Sequence, residues 1–135
     1  VCDWATEERL LPRCAAQIAL ALDDYVVAVD PRGRVLACAA VREYSPSLAE
    51  LVSVATAREA HGRGLGRLVV AAAERLAAAR GHATLFAHTL VPEFFAAVGY
   101  EPAERAAYPE KQARAHTACV RRDLVARAGA AAIAA

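Results

Sequence analysis

Three glycines at alternate positions in Glu59-Ala60-His61-Gly62-Arg63-Gly64-Leu65-Gly66-Arg67 constrain this chain more than any other stretch. They open an apolar-periodic segment that runs to Arg80 and stops at Gly81, so they predict a loop and first turn leading into an amphipathic helix. A helix start of this kind is an anion site. Its first N–H groups point out of the helix end, the macrodipole favours negative charge there, and missing Cβ atoms let a phosphate approach. Arg63 and Arg67 add positive charge.

Two phosphate-binding patterns fit poorly. A P-loop needs a Gly-Lys pair, which the chain lacks, and a dinucleotide fingerprint needs a third glycine where Arg67 stands when Gly62 is taken as the first. Charge excludes little else: 16 Lys+Arg oppose 15 Asp+Glu, which gives no basic surface for nucleic acid or anionic lipid. At 135 residues the chain is one domain that needs no staples. Cys2, Cys14, Cys38 and Cys119 are too far apart for a Cys-x-x-Cys metal or redox pair and are expected as thiols in a reducing cytoplasm. No metal site is expected. The first residues do not resemble a signal peptide, and no uninterrupted apolar run reaches membrane-spanning length.

Along the chain, Cys14 to Asp24 suits a short amphipathic helix. Tyr25–Val29 and Val35–Val41 flank Asp30-Pro31-Arg32-Gly33, a type I turn, and so predict a hairpin. Ser45-Pro46-Ser47 marks a loop, and Leu48–Thr56 reads as a third strand buried on both faces. The glycine loop and its helix follow, with Leu65, Leu68, Val69, Ala72 and Leu76 on the packed face and Arg67, Glu74 and Arg75 opposite. Ala83 to Thr89 is a fourth strand, parallel to the third by the crossover rule. Pro92 to Val98 is a short helix stopped by Gly99, Tyr100-Glu101-Pro102 is extended, and His116 to Leu124 is the last strand. Residues 125–135 form an alanine-rich tail, expected to fray.

Counted from His61, the spacing x-x-x-Gly-x-Gly resembles the pyrophosphate loop of the GNAT acyltransferases, with His61 where glutamine or arginine is usual. Further segments resemble the acetyltransferase domain of bacterial N-acetylglutamate synthases, in order and spacing over roughly residues 9 to 124. They are Leu10-Leu11-Pro12-Arg13, Ala37-Cys38-Ala39-Ala40, Ala49-Glu50-Leu51, Thr89 with Pro92-Glu93-Phe94-Phe95 and Gly99-Tyr100, and Tyr108-Pro109-Glu110-Lys111. The resemblance implies an α/β (α+β) GNAT fold over residues 1–124, a mixed central sheet flanked by helices, without the usual first strand and helix. It also implies transfer of the acetyl group of acetyl-CoA to the α-amine of glutamate.

By the same resemblance, the backbone at Val54, Ala55 and Thr56 pairs with the pantetheine arm as an added strand, and His61, Gly62, Arg63, Gly64, Leu65, Gly66 and Arg67 hold the pyrophosphate. Unpaired N–H groups of a splayed strand would hold the thioester carbonyl. An acceptor ammonium must lose a proton before direct attack, and Glu50 matches the glutamate for which a base role through water is usual. A solvated residue at a strand end is the plain alternative for Glu50. Phe95 occupies the place of the tyrosine that many GNAT enzymes use as acid, which leaves Thr89, Tyr100, Tyr108 or solvent to protonate the thiolate. Arginine forks bind the acceptor's carboxylates, with Arg13 and Arg121 or Arg122 first and Arg42 and Lys111 in reserve. A small amino acid is the expected partner, in a cytoplasmic enzyme with no nucleic acid or membrane partner; a homodimer is open. The rival readings are acetylation of another amine (antibiotic, polyamine or protein terminus) and a non-catalytic acyl-CoA-binding module.

Overall fold

The structure is a computed structural model and describes residues 22–104 and 118–124. These residues cluster into two compact units, one running to Arg42 and taking in Leu51–Glu74, the other taking Glu43–Glu50 and continuing from Arg75.

In the first unit, Leu22–Asp24 is a 3₁₀ turn where the sequence pattern put the end of an α-helix. Two consecutive aspartates compete with helical backbone bonds, and the β-branched run that follows takes over. The rest of that predicted helix lies outside the described residues. Strands β1 (Tyr25–Val29) and β2 (Val35–Glu43) pair antiparallel, from Tyr25↔Ala40 to Ala28↔Ala37, with a register shift between Ala28 and Val29. The Asp30 side chain holds the turn, its Oδ1 accepting from the N–H groups of Arg32 and Arg34 at 2.9 Å each, and Gly33 takes the φ of +82°.

Strand β3 spans Leu48–Thr56, the predicted bounds. Only Ala49, Glu50 and Leu51 are buried in succession, and every residue from Val52 except Ala55 is half-buried, so the expectation of two buried faces holds for its first half. After β3, the Ala57 N–H donates to Leu36 O at 2.7 Å and a 3₁₀ turn covers Arg58–Ala60, where Glu59 pairs with Arg34. Helix α1 (Leu65–Ala79) follows the glycine loop and ends at Gly81, whose φ is +87°.

The face that α1 buries differs from the expected one. Val69, Val70, Ala73 and Ala77 are buried together with Glu74, which is only 3% exposed, while Leu68 is 54% exposed. Alanines at 71–73 and 77–79 make the helix apolar on most sides, so its phase follows what it packs against and not its largest side chains.

In the second unit, β4 (Thr84–Thr89) runs parallel to β3 through Leu48↔Thr84, Ala49↔Leu85 and Glu50↔Phe86, as the crossover rule required. Helix α2 (Pro92–Ala97) begins on proline and is followed by Gly99 at φ +100°. Strand β6 (Ala118–Asp123) pairs antiparallel with β4 and carries the two-residue edge strand β5 (Glu101–Pro102), giving the strand order β1-β2-β3-β4-β6-β5. Leu85, Phe86 and Leu124 are its most deeply buried large side chains. Among the described residues no helix is long and apolar enough to cross a membrane.

Candidate active site

The glycine loop adopts the conformation its residues demanded. Gly62 and Gly64 have φ of +81° and +74°, in the left-handed region that side-chain-bearing residues avoid. The Leu68 N–H donates to Gly64 O at 3.2 Å, which makes Gly64 the entry to α1 and leaves the first-turn N–H groups at 65–67 directed out of the helix end. Arg63 and Arg67 are exposed at this end. His61 turns back on the strand before it, with Nε2 3.2 Å from Thr56 O. Its ring therefore braces the loop against the end of β3.

Inside β3, Ser53 has φ +54°. A non-glycine residue in this region costs about 1–2 kcal/mol, and its position one residue before Val54, Ala55 and Thr56 redirects the backbone at the segment expected to meet the pantetheine arm. Two side chains hold it: Cys38 Sγ donates to Ser53 O at 3.2 Å, and Tyr25 Oη donates to Ser53 Oγ at 3.4 Å. Burial pushes the Cys38 thiol pKa up, against a smaller lowering by the hydrogen bond from the Ala55 backbone.

Glu50 is 3% exposed, too deep for a solvated strand-end residue. Tyr44 Oη donates to its Oε1 at 3.1 Å, and the Tyr44 ring lies on Phe86 with centroids 5.5 Å apart. The short turn brings Tyr44 there, since the N–H groups of Tyr44 and Ser45 both donate to Leu48 O. Phe86 in turn meets the His88 ring edge-on at 5.7 Å. One face of the sheet thus carries Tyr44, Glu50, Phe86 and His88.

Thr89 is buried at the end of β4, where its Oγ1 accepts the Val91 N–H at 2.9 Å. A hydroxyl that accepts still has a proton to donate. Phe95 is buried in α2 between Phe94 and Tyr100, both 5.2 Å away centroid to centroid. Arg121, on β6, donates from Nε to Glu101 Oε1 at 2.9 Å and lies 3.9 Å from Asp123, so its charge is shared with two surface carboxylates. Arg122 donates to Val98 O and sits over the Tyr100 ring at 5.9 Å, a structural brace for the end of α2. Arg13, Tyr108 and Lys111 lie outside the described residues.

The sequence matches the model of the Acetyltransferase (GNAT) family over residues 2–100. The chain belongs to the GNAT acetyltransferase family. It is 35% identical over 119 residues to an uncharacterized N-acetyltransferase of Chlorobaculum tepidum, a match covering 88% of this chain and 76% of that protein. Its fold resembles that of N-acetylglutamate synthase from Neisseria gonorrhoeae complexed with coenzyme A and N-acetyl-glutamate, with TM-score 0.82 and 21% identity over 90% of this chain. The chain spans only 30% of that synthase's length. It also resembles Rv2747 from Mycobacterium tuberculosis in complex with CoA and NLQ, with TM-score 0.78 and 20% identity, covering 87% of this chain and 86% of that one. At such identities the two likenesses concern the GNAT fold.

Within this GNAT domain, two side chains close to Glu50 and Phe86 were not singled out by the sequence. Tyr44 lies in a loop with no local signal, because its contact with Glu50 is made by the return of the chain through the turn. His88 did carry one: a titratable residue two positions after Phe86 in a strand otherwise made of apolar residues and threonines. The left-handed Ser53 has no sequence mark at all.

Proposed function

We propose that this chain is an acetyl-CoA-dependent N-acetyltransferase whose acceptor is the α-amine of an amino acid, L-glutamate first. The observation that carries the reading is the buried Glu50 carboxylate, hydrogen-bonded by Tyr44 on a strand that continues through Ser53 to Val54, Ala55 and Thr56. A carboxylate is seldom buried without a task, and the reaction needs a base. In this reading the loop from His61 to Arg67 takes the pyrophosphate on backbone N–H groups, with arginine charge beside it. The backbone of Val54, Ala55 and Thr56 takes the pantetheine arm. Glu50 accepts a proton from the acceptor ammonium, and the free amine attacks the thioester carbonyl directly in a ternary complex. Thr89 supplies a proton for the departing thiolate, and Phe95 walls the acyl-CoA side. Arg13 forks the acceptor carboxylates. Glutamate is favoured over other amines by the ordered synthase-like segments, and the fold likeness to the gonococcal synthase agrees with it.

The test is steady-state CoA release with acetyl-CoA and a panel of amino acids and other amines, for the wild type, Glu50→Gln and Arg13→Ala. Glutamate-dependent turnover that falls about 10²–10⁴-fold in Glu50→Gln is the expected result, with Arg13→Ala raising the KM for glutamate. Binding of acetyl-CoA without turnover on any amino acid would sink the amino-acid reading.

A further inference from the structure

The kink at Ser53 is tied to the β1–β2 hairpin, and every tie lies within the first compact unit. Cys38 stands on β2 opposite Val27, and its Sγ donates to Ser53 O at 3.2 Å. The Ala55 backbone hydrogen-bonds the same sulfur, so one side chain grips the strand on both sides of Val54. A thiol can do this because it is both a weak donor and a weak acceptor. Burial keeps the Cys38 thiol protonated, so it has the hydrogen it donates. Tyr25, the first residue of β1, adds a longer contact from Oη to Ser53 Oγ at 3.4 Å.

Ser53 needs this support. At φ +54° its Cβ crowds the carbonyl, and a serine left to itself prefers extended backbone. Straightening one residue of a strand turns every N–H and C=O group that follows it. An added strand is recognised through those groups, so its affinity depends on where they point. Ser53 therefore sets the direction of Val54, Ala55 and Thr56, and Cys38 sets Ser53.

We propose that Cys38 is a positioning residue for acetyl-CoA, fixing the kink at Ser53 so that the backbone of Val54, Ala55 and Thr56 meets the pantetheine arm. This rests on the reading of that segment given above. Cys38 acts through the backbone and takes no part in the transfer itself.

Calorimetric titration with two ligands tests it. One is CoA, and the other is 3′-phosphoadenosine 5′-diphosphate, which carries the nucleotide and pyrophosphate of CoA but no pantetheine arm. Cys38→Ala is expected to weaken CoA about 3- to 10-fold, the worth of one hydrogen bond, and to leave the shorter ligand unchanged. Tyr25→Phe is expected to act in the same direction and less strongly. In turnover, Cys38→Ala is expected to raise the KM for acetyl-CoA while kcat at saturation holds. Glycine accepts left-handed backbone without penalty, so Ser53→Gly added to Cys38→Ala is expected to recover most of the lost CoA affinity. A cysteine that only fills space would behave differently: its removal would loosen both ligands alike, and Ser53→Gly would not repair the loss. Either of those results overturns the proposal, as does a CoA affinity in Cys38→Ala equal to that of the wild type. If the wild type binds CoA no more tightly than the shorter ligand, the pantetheine reading itself fails and the proposal falls with it.

Discussion

Tyr44 and Glu50 are joined by a 3.1 Å hydrogen bond from the phenol to a carboxylate that is almost wholly removed from solvent. The bond ties the carboxylate's orientation to a ring packed on Phe86. Tyr44→Phe keeps that packing and deletes only the donor. It is expected to cost about 1 kcal/mol of stability, measured by urea denaturation, and to reduce kcat/KM for the acceptor while leaving acetyl-CoA affinity unchanged.

Glycine substitutions separate conformation from crowding. An added Cβ at Gly62 or Gly64 meets nothing within 4 Å, so alanine there carries only the penalty of its left-handed backbone, about 1–2 kcal/mol. At Gly99 the Cβ would lie 2.8 Å from Arg122 Nη1, so Gly99→Ala also displaces the guanidinium that braces Val98. Gly99→Ala is expected to lower thermal stability more than Gly64→Ala. Calorimetric titration with CoA is expected to show weaker binding for Gly64→Ala and unchanged binding for Gly99→Ala at a temperature where both are folded.

Cys38 predicts a pH dependence of a definite sign. Its raised thiol pKa means the folded state keeps a proton that the unfolded chain releases first. The stabilisation is full below the unfolded thiol value, about 8.5, and is lost as pH rises through the folded value. Urea midpoints are expected to fall above that range in the wild type and less so in Cys38→Ala. Alkylation of Cys38 at pH 8 is expected to be slower than that of a free thiol.

His82, just past the end of α1, is 2% exposed, and among the described residues neither ring nitrogen has a hydrogen-bond partner; a carboxylate oxygen of Glu43 is 3.9 Å from Nε2. Burying these atoms unsatisfied carries a penalty of about 1–3 kcal/mol. His82→Phe, which keeps ring shape and drops the polar atoms, is expected to raise the urea midpoint. A lowered midpoint would show that the imidazole contributes through Glu43.

The hairpin turn, the bounds of β3 and the stop after α1 were legible because each is decided by a few adjacent residues: Asp30 and Gly33, Ser45 to Ser47, and Gly81. The glycine loop was legible for the same reason. What depends on packing was not. Leu68 points to solvent and Glu74 inward because an alanine-rich helix has no unique apolar stripe, and Tyr44 reaches Glu50 only once the loop closes. Arg121, read from sequence as a carboxylate fork, is held by Glu101 on the neighbouring edge strand, a pairing set by register.

Ser53 also bears on the order in which the chain assembles. Its left-handed backbone is propped by Cys38 and Tyr25, which belong to the hairpin and lie 15 and 28 residues earlier in the chain. Until that hairpin docks, the unfavourable torsion has nothing to hold it, and β3 is free to run straight. The bend is therefore expected to form after the hairpin, beside the expected pantetheine segment. Ser53→Gly, which lifts the torsional cost, is the substitution whose effect on the refolding rate reads that order directly.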